Sequence, residues 1–276
     1  MPLIAITREM GTLGKDVATG LGEALGLPVV YHEVIDQLAD RMRVRKSHVV
    51  RLLDGKAGLL ERLTADKTSL ALHSADEIFA LALQGRGAII RGWGATHLLR
   101  DVPHAVCVRV CAPLELRKRR MMERLDSGDA GKVAHEIEIN DEAHGAIMRR
   151  HFDLQWTDSE HYDLVLNTER VNIDECVEEV LRLVRSPLFA ETEETRQHME
   201  DLALSARVRA ALRRAPETRD AKPIVTSRAG RVTLAGDLGG TDKLLAAVEV
   251  VASVPGVRDF DYRVRPPEDG VQPRIH

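Results

Sequence analysis

The residues whose types and spacing suggest chemistry come first in this chain. Gly11, Gly14 and Lys15 lie within Leu3-Ile-Ala-Ile-Thr-Arg-Glu-Met-Gly-Thr-Leu-Gly-Lys-Asp-Val-Ala18. The apolar run from Leu3 to Ile6 reads as a buried strand, and apolar residues at Val17, Leu21 and Leu25 restart as a helix. A strand, a glycine loop and a helix N-terminus together form a phosphate cradle: backbone N–H groups converge on an anion and the helix end adds partial positive charge. Lys15 stands where a side-chain cation would meet a polyphosphate. The pattern G-x-x-x-x-G-K-[ST] fits at Gly14-Lys15, but its first glycine falls on Glu9 and its hydroxyl residue on Asp16. Glu9 brings negative charge into the loop. Asp16 lacks the hydroxyl but carries a carboxylate able to hold Mg²⁺. The plainer alternative is an ordinary strand–turn–helix.

The elements that must position such a loop can be followed along the chain. Gly26-Leu-Pro-Val-Val-Tyr31 reads as a second strand followed by His32 and Glu33, with helical spacing from Val34 to Met42. Residues 44–84 look helical, most clearly from Ser74 to Leu83. Further strands are read at Ala88–Arg91, running into Gly92-Trp-Gly-Ala95, at His104–Val110 and at Tyr162–Asn167. Helices are read from Glu115 to Arg124, Val133 to Phe152 and Ile173 to Val184, with a loop from Asp126 to Gly131. Short apolar strands alternating with helices predict a parallel sheet wrapped by helices. Ligands on such sheets bind beyond the carboxyl ends of the strands, which gathers Gly11–Lys15, His32 and Glu33, and Arg91–Gly94 into one crevice.

Composition bounds the rest. The chain has 276 residues, 44% hydrophobic and 30% charged, with net charge −4 and 3% aromatics. These values fit a soluble globular protein of one or two domains and give no electrostatic or stacking case for nucleic acid. Cys107, Cys111 and Cys176 form neither a disulfide framework nor a metal pattern, and the first two read as small core hydrophobes. The N-terminus reads as a strand rather than a signal peptide, no run approaches a membrane span, and a cytoplasmic setting is expected.

The order Ile-Thr-Arg-Glu-Met-Gly-Thr-Leu-Gly-Lys, Gly-Leu-Pro-Val-Val-Tyr-His-Glu, Ile-Ile-Arg-Gly-Trp-Gly-Ala, Val-Arg-Val-Cys-Ala-Pro-Leu-Glu-Leu-Arg and Tyr-Asp-Leu-Val-Leu-Asn-Thr resembles the cytidylate kinase-like branch of the P-loop nucleoside monophosphate kinases over residues 1–188. The resemblance implies an α/β fold with a parallel five-stranded sheet flanked by helices. It also implies transfer of the γ-phosphoryl group of ATP, with Mg²⁺, to a nucleoside monophosphate such as CMP or dCMP, or to a related small acceptor. By that resemblance Arg8, Gly11, Thr12, Leu13, Gly14, Lys15 and Asp16 would hold ATP, with Asp16 on the metal. Glu33, Arg41, Arg91, Gly92 and Trp93 would face the acceptor. Lys15, Arg117, Arg149 and Arg150 would act on the transferred group, with Arg120 and Arg124 on the same lid-like helix. Relatives of this branch tend to carry Gly-Arg where this chain has Gly92-Trp93. Arg91 stands one step earlier, and one step on a strand turns a side chain to the other face. The Arg117–Arg124 stretch also reads as a solvated face paired with Glu115 and Glu123, Trp93 as a crevice wall, and His32 as a loop residue without chemistry. Asp16 and Asp40 are both open as a general base. A catalytically lapsed nucleotide sensor is the alternative reading, and a kinase for another small phosphoacceptor shares the fold.

The chain then reads as an acidic linker over 189–199, around Glu191-Thr-Glu-Glu-Thr195. A second domain follows over 200–266: a helix through Leu204, Val208 and Leu212, a hairpin turning at Ala229-Gly230, a helix from Thr241 (a plausible N-cap) to Val254, and a last strand. Gly230-Arg-Val-Thr-Leu-Ala-Gly236 and Val254-Pro-Gly-Val257 make it similar to a BON domain. That resemblance implies binding of a lipid surface, a small ligand or a protein, with dimerisation or stability as the alternative and a homo-oligomer left open. Residues 267–276 read as a disordered tail.

Overall fold

A computed structural model describes residues 2–31, 67–92 and 94–264. The expectations placed on His32, Glu33, Asp40, Arg41, Trp93 and the tail lie outside the described residues. The described chain divides into two units, one containing residues 84–191 together with the N-terminal strands, the other containing residues 67–83 and 192–264.

In the first unit the strands β1 (Leu3–Arg8), β2 (Val29–Val30), β3 (Ala88–Arg91), β4 (Ala105–Cys111) and β5 (Leu164–Asn167) form one sheet in the order β2-β3-β1-β4-β5. All its pairings are parallel, with Ile6 beside Arg91 on one flank of β1 and Val108 on the other. The five-stranded parallel sheet expected from the alternation of elements is therefore present. β1 is central because it is apolar from Leu3 to Ile6 and buried from Leu3 to Thr7.

Strand alternation sorts its side chains. Ile4 and Ile6, with Ile89, Val106, Val108 and Val110, meet Val17, Ala18 and Leu21 of α1 (Gly14–Leu25). On the same face lie Cys176, Val177, Val180 and Leu181, a helical i, i+1, i+4, i+5 stripe; full burial of each large aliphatic is worth about 1.5–3 kcal/mol. This core fixes the start of α1 against the carboxyl end of β1. Cys107 is buried, as expected, and burial pushes its thiol up, whereas Cys111, read as a core residue too, is only partly buried; Cys176 is buried and all three are unbridged.

Within the second unit α2 (Lys67–Leu83) packs along α7 (Glu193–Arg214). The intervening helices of the first unit are α3 (Ala95–Leu98), α4 (Leu114–Leu125), α5 (Ala130–Phe152) and α6 (Ile173–Val184). Leu204, Val208 and Leu212 turn the other side of α7 onto the sheet β6 (Ile224–Arg228), β7 (Arg231–Ala235) and β8 (Asp259–Arg263), joined by α8 (Thr241–Ala252). β6 and β7 are antiparallel, β7 and β8 parallel.

Several boundaries differ from expectation; β2 is only Val29–Val30, β5 starts at Leu164 and α8 ends at Ala252. Residues 193–199, read as acidic linker, are the first turns of α7, where Thr192 and Thr195 form a capping box and Glu193 and Glu194 suit the positive helix end. Gly240, at φ 113°, rather than Thr241, caps α8. α5 starts at Ala130, inside the stretch read as loop. No helix among the described residues is long and apolar enough to cross a membrane.

Candidate functional site

The loop between β1 and α1 is shaped by its own backbone and by two segments distant in sequence. Gly11 (φ 83°) and Leu13 (φ 61°) take left-handed backbone conformations. The Thr12 hydroxyl is fully buried and donates to the Glu9 carbonyl at 2.8 Å. Thr168 Oγ1, just past β5, donates to the Thr12 carbonyl at 2.9 Å and receives Arg120 at 2.9 Å. At Gly11 a Cβ would lie 2.9 Å from the Arg117 carbonyl oxygen, so the loop passes over the backbone of α4 too closely for any side chain. Among the described residues no hydrogen bond is donated by the backbone N–H groups of residues 11–15; the first intrahelical donors are Asp16 and Val17, both to the Leu13 carbonyl. The donors of residues 11–15 at the α1 N-terminus thus have no acceptor among the described residues. Lys15 and Asp16 are both exposed beside them.

The sheet register decides which charges face this loop. Arg91 pairs with Ile6, and Arg8 is two residues beyond Ile6, so both side chains leave the sheet on the face that carries α1. The Arg8 stem lies directly on the loop: a Cβ at Gly14 would come within 2.7 Å of Arg8 Cβ. Arg91 stacks on Tyr31, guanidinium to ring centroid 4.5 Å. It is 8% exposed, with its Nε buried and without a hydrogen-bond partner. Burial first, then the Arg8 charge, lowers the Arg91 pKa; burial foremost also lowers Arg8. Arg91 therefore does not turn away from the loop.

The alternate residues go the other way. Glu9 follows Thr7, which pairs with Arg109 on β4. Glu9 accepts from Arg109 at 2.5 Å and lies 3.7 Å from Arg117 Nε; Arg117 donates to Asp141 at 2.7 Å and to the Met10 carbonyl at 3.3 Å. Two carboxylates and two guanidinium groups form a charge-balanced set, buried but for the half-buried Asp141. The glutamate at the loop's first glycine position is thus neutralised beneath the loop and adds no net charge above it. Burial raises the Asp141 carboxyl, opposed by its bond from Arg117. Beside this set His144 shares a 3.3 Å hydrogen bond with Thr7 Oγ1 and meets the Trp156 ring edge-on, centroids 4.3 Å apart. Burial, then the Arg8 charge, pushes its pKa down to about 4, so the ring is neutral at pH 7.

Of the residues expected to act, Arg8, Gly11, Thr12, Leu13, Gly14, Lys15, Asp16, Arg91 and Gly92 surround the carboxyl ends of β1 and β3. Arg117 lies beneath the loop in the Glu9–Asp141 set. Arg124 is exposed, and Lys118 rather than Arg117 pairs with Glu115, at 2.7 Å. Arg149 is exposed and donates to Gln155 at 3.3 Å. Arg150 lies on α5 with its side chain outside the described set. Arg109, Asp141, His144, Tyr31 and Thr168 escaped the sequence reading, because nothing in their spacing to the loop reveals pairing across strands and helices. Among the described residues no group of three or more His, Cys, Asp or Glu is arranged to hold a metal ion. A single exposed carboxylate at Asp16 still fits Mg²⁺, which takes one or two carboxylates and otherwise phosphate oxygens and water.

A model of the cytidylate kinase-like family matches residues 3–170. A search of curated proteins finds no match. Among solved structures, an uncharacterized protein from Eubacterium ventriosum ATCC 27560 shares the fold at 20% identity and TM-score 0.53, over 67% of this chain and 99% of that one. Shikimate kinase from Bacteroides thetaiotaomicron matches at 15% identity and TM-score 0.39, over 67% and 99%. A sugar kinase from Janibacter sp. HTCC2649 matches at 17% identity and TM-score 0.40, over 70% and 99%. With more than half of its length matched, and with its loop, sheet order and helix start arranged as described, the chain belongs to the cytidylate kinase-like family.

Proposed function

We propose that this protein transfers the γ-phosphoryl group of ATP to a nucleoside monophosphate of the CMP or dCMP kind, or to a closely related small acceptor. The observation that carries the reading is the run of backbone N–H groups at residues 11–15 that lack acceptors among the described residues, at a helix N-terminus flanked by Lys15 and Arg8. Phosphoryl transfer is achieved by positioning and charge neutralisation, and these groups supply both. The N–H run and Lys15 would hold the donor phosphates. Arg8, stretched over Gly14, would meet the same charge, and Gly92 would leave the acceptor side open. Asp16 would hold Mg²⁺, which supplies charge neutralisation on the phosphate oxygens. Arg149 and Arg150 belong to the same proposal as lid cations, whereas Arg117 serves by supporting Gly11 and Glu9.

The second reading, a nucleotide sensor without turnover, is favoured by that commitment of Arg117, whose guanidinium is already engaged by two carboxylates. For the C-terminal unit, the order helix, hairpin, helix, strand and the sequence Gly230–Gly236 support a BON-like module that binds a lipid surface, small ligand or protein and targets or regulates the kinase, in a cytoplasmic protein. The test is ADP production from Mg·ATP by the full chain against a panel of nucleoside monophosphates, with Lys15→Ala alongside. CMP-dependent turnover that falls at least a hundredfold in Lys15→Ala is expected. ATP binding without turnover on any acceptor would transfer the assignment to the sensor, and no ATP binding would end both readings.

A further inference from the structure

A single helix, α5, passes both the β1–α1 loop and the turn that follows β3. Along it Val133, Ile137, Asp141, His144, Met148 and Phe152 recur at spacings of three or four, so they share one face. The first half of that face meets the loop. Met10 packs against the cluster of Met121, Val133 and Ile137. Asp141 takes a backbone hydrogen bond from Met10 and a 2.7 Å bond from Arg117, which itself donates to the Met10 carbonyl. His144 reaches Thr7 near the end of β1. The last residue of the face meets the chain as it leaves β3. Phe152 is buried, and a Cβ at Gly94 would lie 2.6 Å from its ring, so only glycine fits there. The same ring is 4.8 Å from that of His97. The amides of Ala95, His97 and Leu98 bond back to the Gly92 and Gly94 carbonyls at 2.9 Å. Phe152 is thus the seat of this turn. From Asp141 to Phe152 the helix spans about 17 Å at 1.5 Å per residue, and an unbroken helix in a close-packed unit passes strain along its length.

We propose that Phe152 is a positioning residue for the turn carrying Gly92 and Gly94, and that α5 transmits order between this turn and the β1–α1 loop. A nucleotide anchored on residues 11–15 steadies Met10, and through Arg117 and Asp141 it steadies α5; Phe152 then holds Gly94 in place. The coupling is reciprocal, so a ligand on the turn strengthens nucleotide binding by the same factor. This rests on reading the loop as the donor site and adds to it a dependence of the acceptor side on donor occupancy.

The experiment follows amide hydrogen exchange in the full chain, with and without Mg²⁺ and a non-hydrolysable ATP analogue, over residues 10–17, 94–99 and, as a reference, β4. In wild type the analogue should slow exchange about tenfold at 10–17 and about threefold at 94–99. In Phe152→Leu the response at 10–17 should persist and the response at 94–99 should vanish. Without ligand, Asp141→Asn should quicken exchange at 94–99 about threefold, although Asp141 is set at the other end of the contact face; a local role would confine the change to 10–17. Exchange in β4 should be unchanged in both variants. The proposal is overturned by a wild-type 94–99 segment that ignores the analogue, by a response that survives Phe152→Leu, or by an Asp141→Asn effect that is absent at 94–99 or equally large in β4. Failure of the analogue to bind instead overturns the donor-loop reading, and the ligand-free comparison of wild type with Asp141→Asn still decides whether α5 links the two segments.

Discussion

At the scale of single residues, one-step alternation along β1 does most of the electrostatic work. Arg8 is sent to the loop face and Glu9 to the opposite face, although they are adjacent in sequence. Glu9→Gln would leave Arg109 and Arg117 facing a neutral amide. Breaking a buried pair by removing one charge costs about 3–5 kcal/mol, so a fall in unfolding free energy of that order is expected by urea titration. Gly11→Ala meets both a positive φ and a backbone oxygen at 2.9 Å. It should cost about 1–3 kcal/mol and weaken ATP binding with it. Leu13, left-handed without being glycine, gives the converse. Leu13→Gly should be neutral or slightly stabilising and Leu13→Val destabilising by about 1 kcal/mol or more, read from thermal midpoints.

His144 adds a pH dependence with a definite sign. The unfolded ring titrates near 6.5 and the folded ring at about 4, so the unfolded chain takes up a proton that the folded chain excludes. The stability this represents, of the order of 3 kcal/mol, is fully present above pH 6.5 and is lost as pH falls toward 4. His144→Gln retains a partner for Thr7 but does not titrate. The difference in unfolding free energy between wild type and His144→Gln should therefore narrow or reverse between pH 7 and 4.5. A difference independent of pH would show that the folded ring protonates freely.

At the scale of elements, α4 and α5 are tied to the loop through Arg117, Asp141 and Arg120. Arg120 donates to both the Oγ1 and the carbonyl of Thr168, which in turn holds Thr12. Removing that arginine leaves two acceptors and releases the far side of the loop. Arg120→Ala should thus raise the Kd for ATP severalfold with a stability loss of about 1–2 kcal/mol, whereas Arg124→Ala, exposed and outside these bonds, should change stability by less than about 0.5 kcal/mol. The basic stretch that the sequence presents as one class of residue divides, once folded, into supports and exposed cations.

At the scale of the whole molecule, the partition of α2 matters most. Its sequence lies between β2 and β3, yet it packs along α7 within the second unit. Ala75, Ile78 and Phe79 are buried in it, alongside polar residues such as Glu77. A chain ended after Glu191 would keep α2 and lose α7. Such a truncation should expose apolar surface, seen as increased binding of a hydrophobic dye and lower soluble yield, instead of behaving as an independent kinase domain.

The alternation of apolar runs and helical stripes was enough to read the parallel five-stranded sheet, and glycines before Lys15 were enough to locate the loop, because both depend on residues close in sequence. Ile173–Val184 was legible to the residue for the same reason: a strong helical stripe behind a capping Asn172. What the sequence determined by itself is therefore this family's sheet, its loop and the amphipathic helices. What only the tertiary structure decided is the distribution of charge around them: Glu9 to Arg109 and Arg117, Arg91 to Tyr31 and Arg8, α2 to α7. Several of those pairings join residues a hundred or more positions apart, and they are set by strand register and helix docking, which no local spacing encodes.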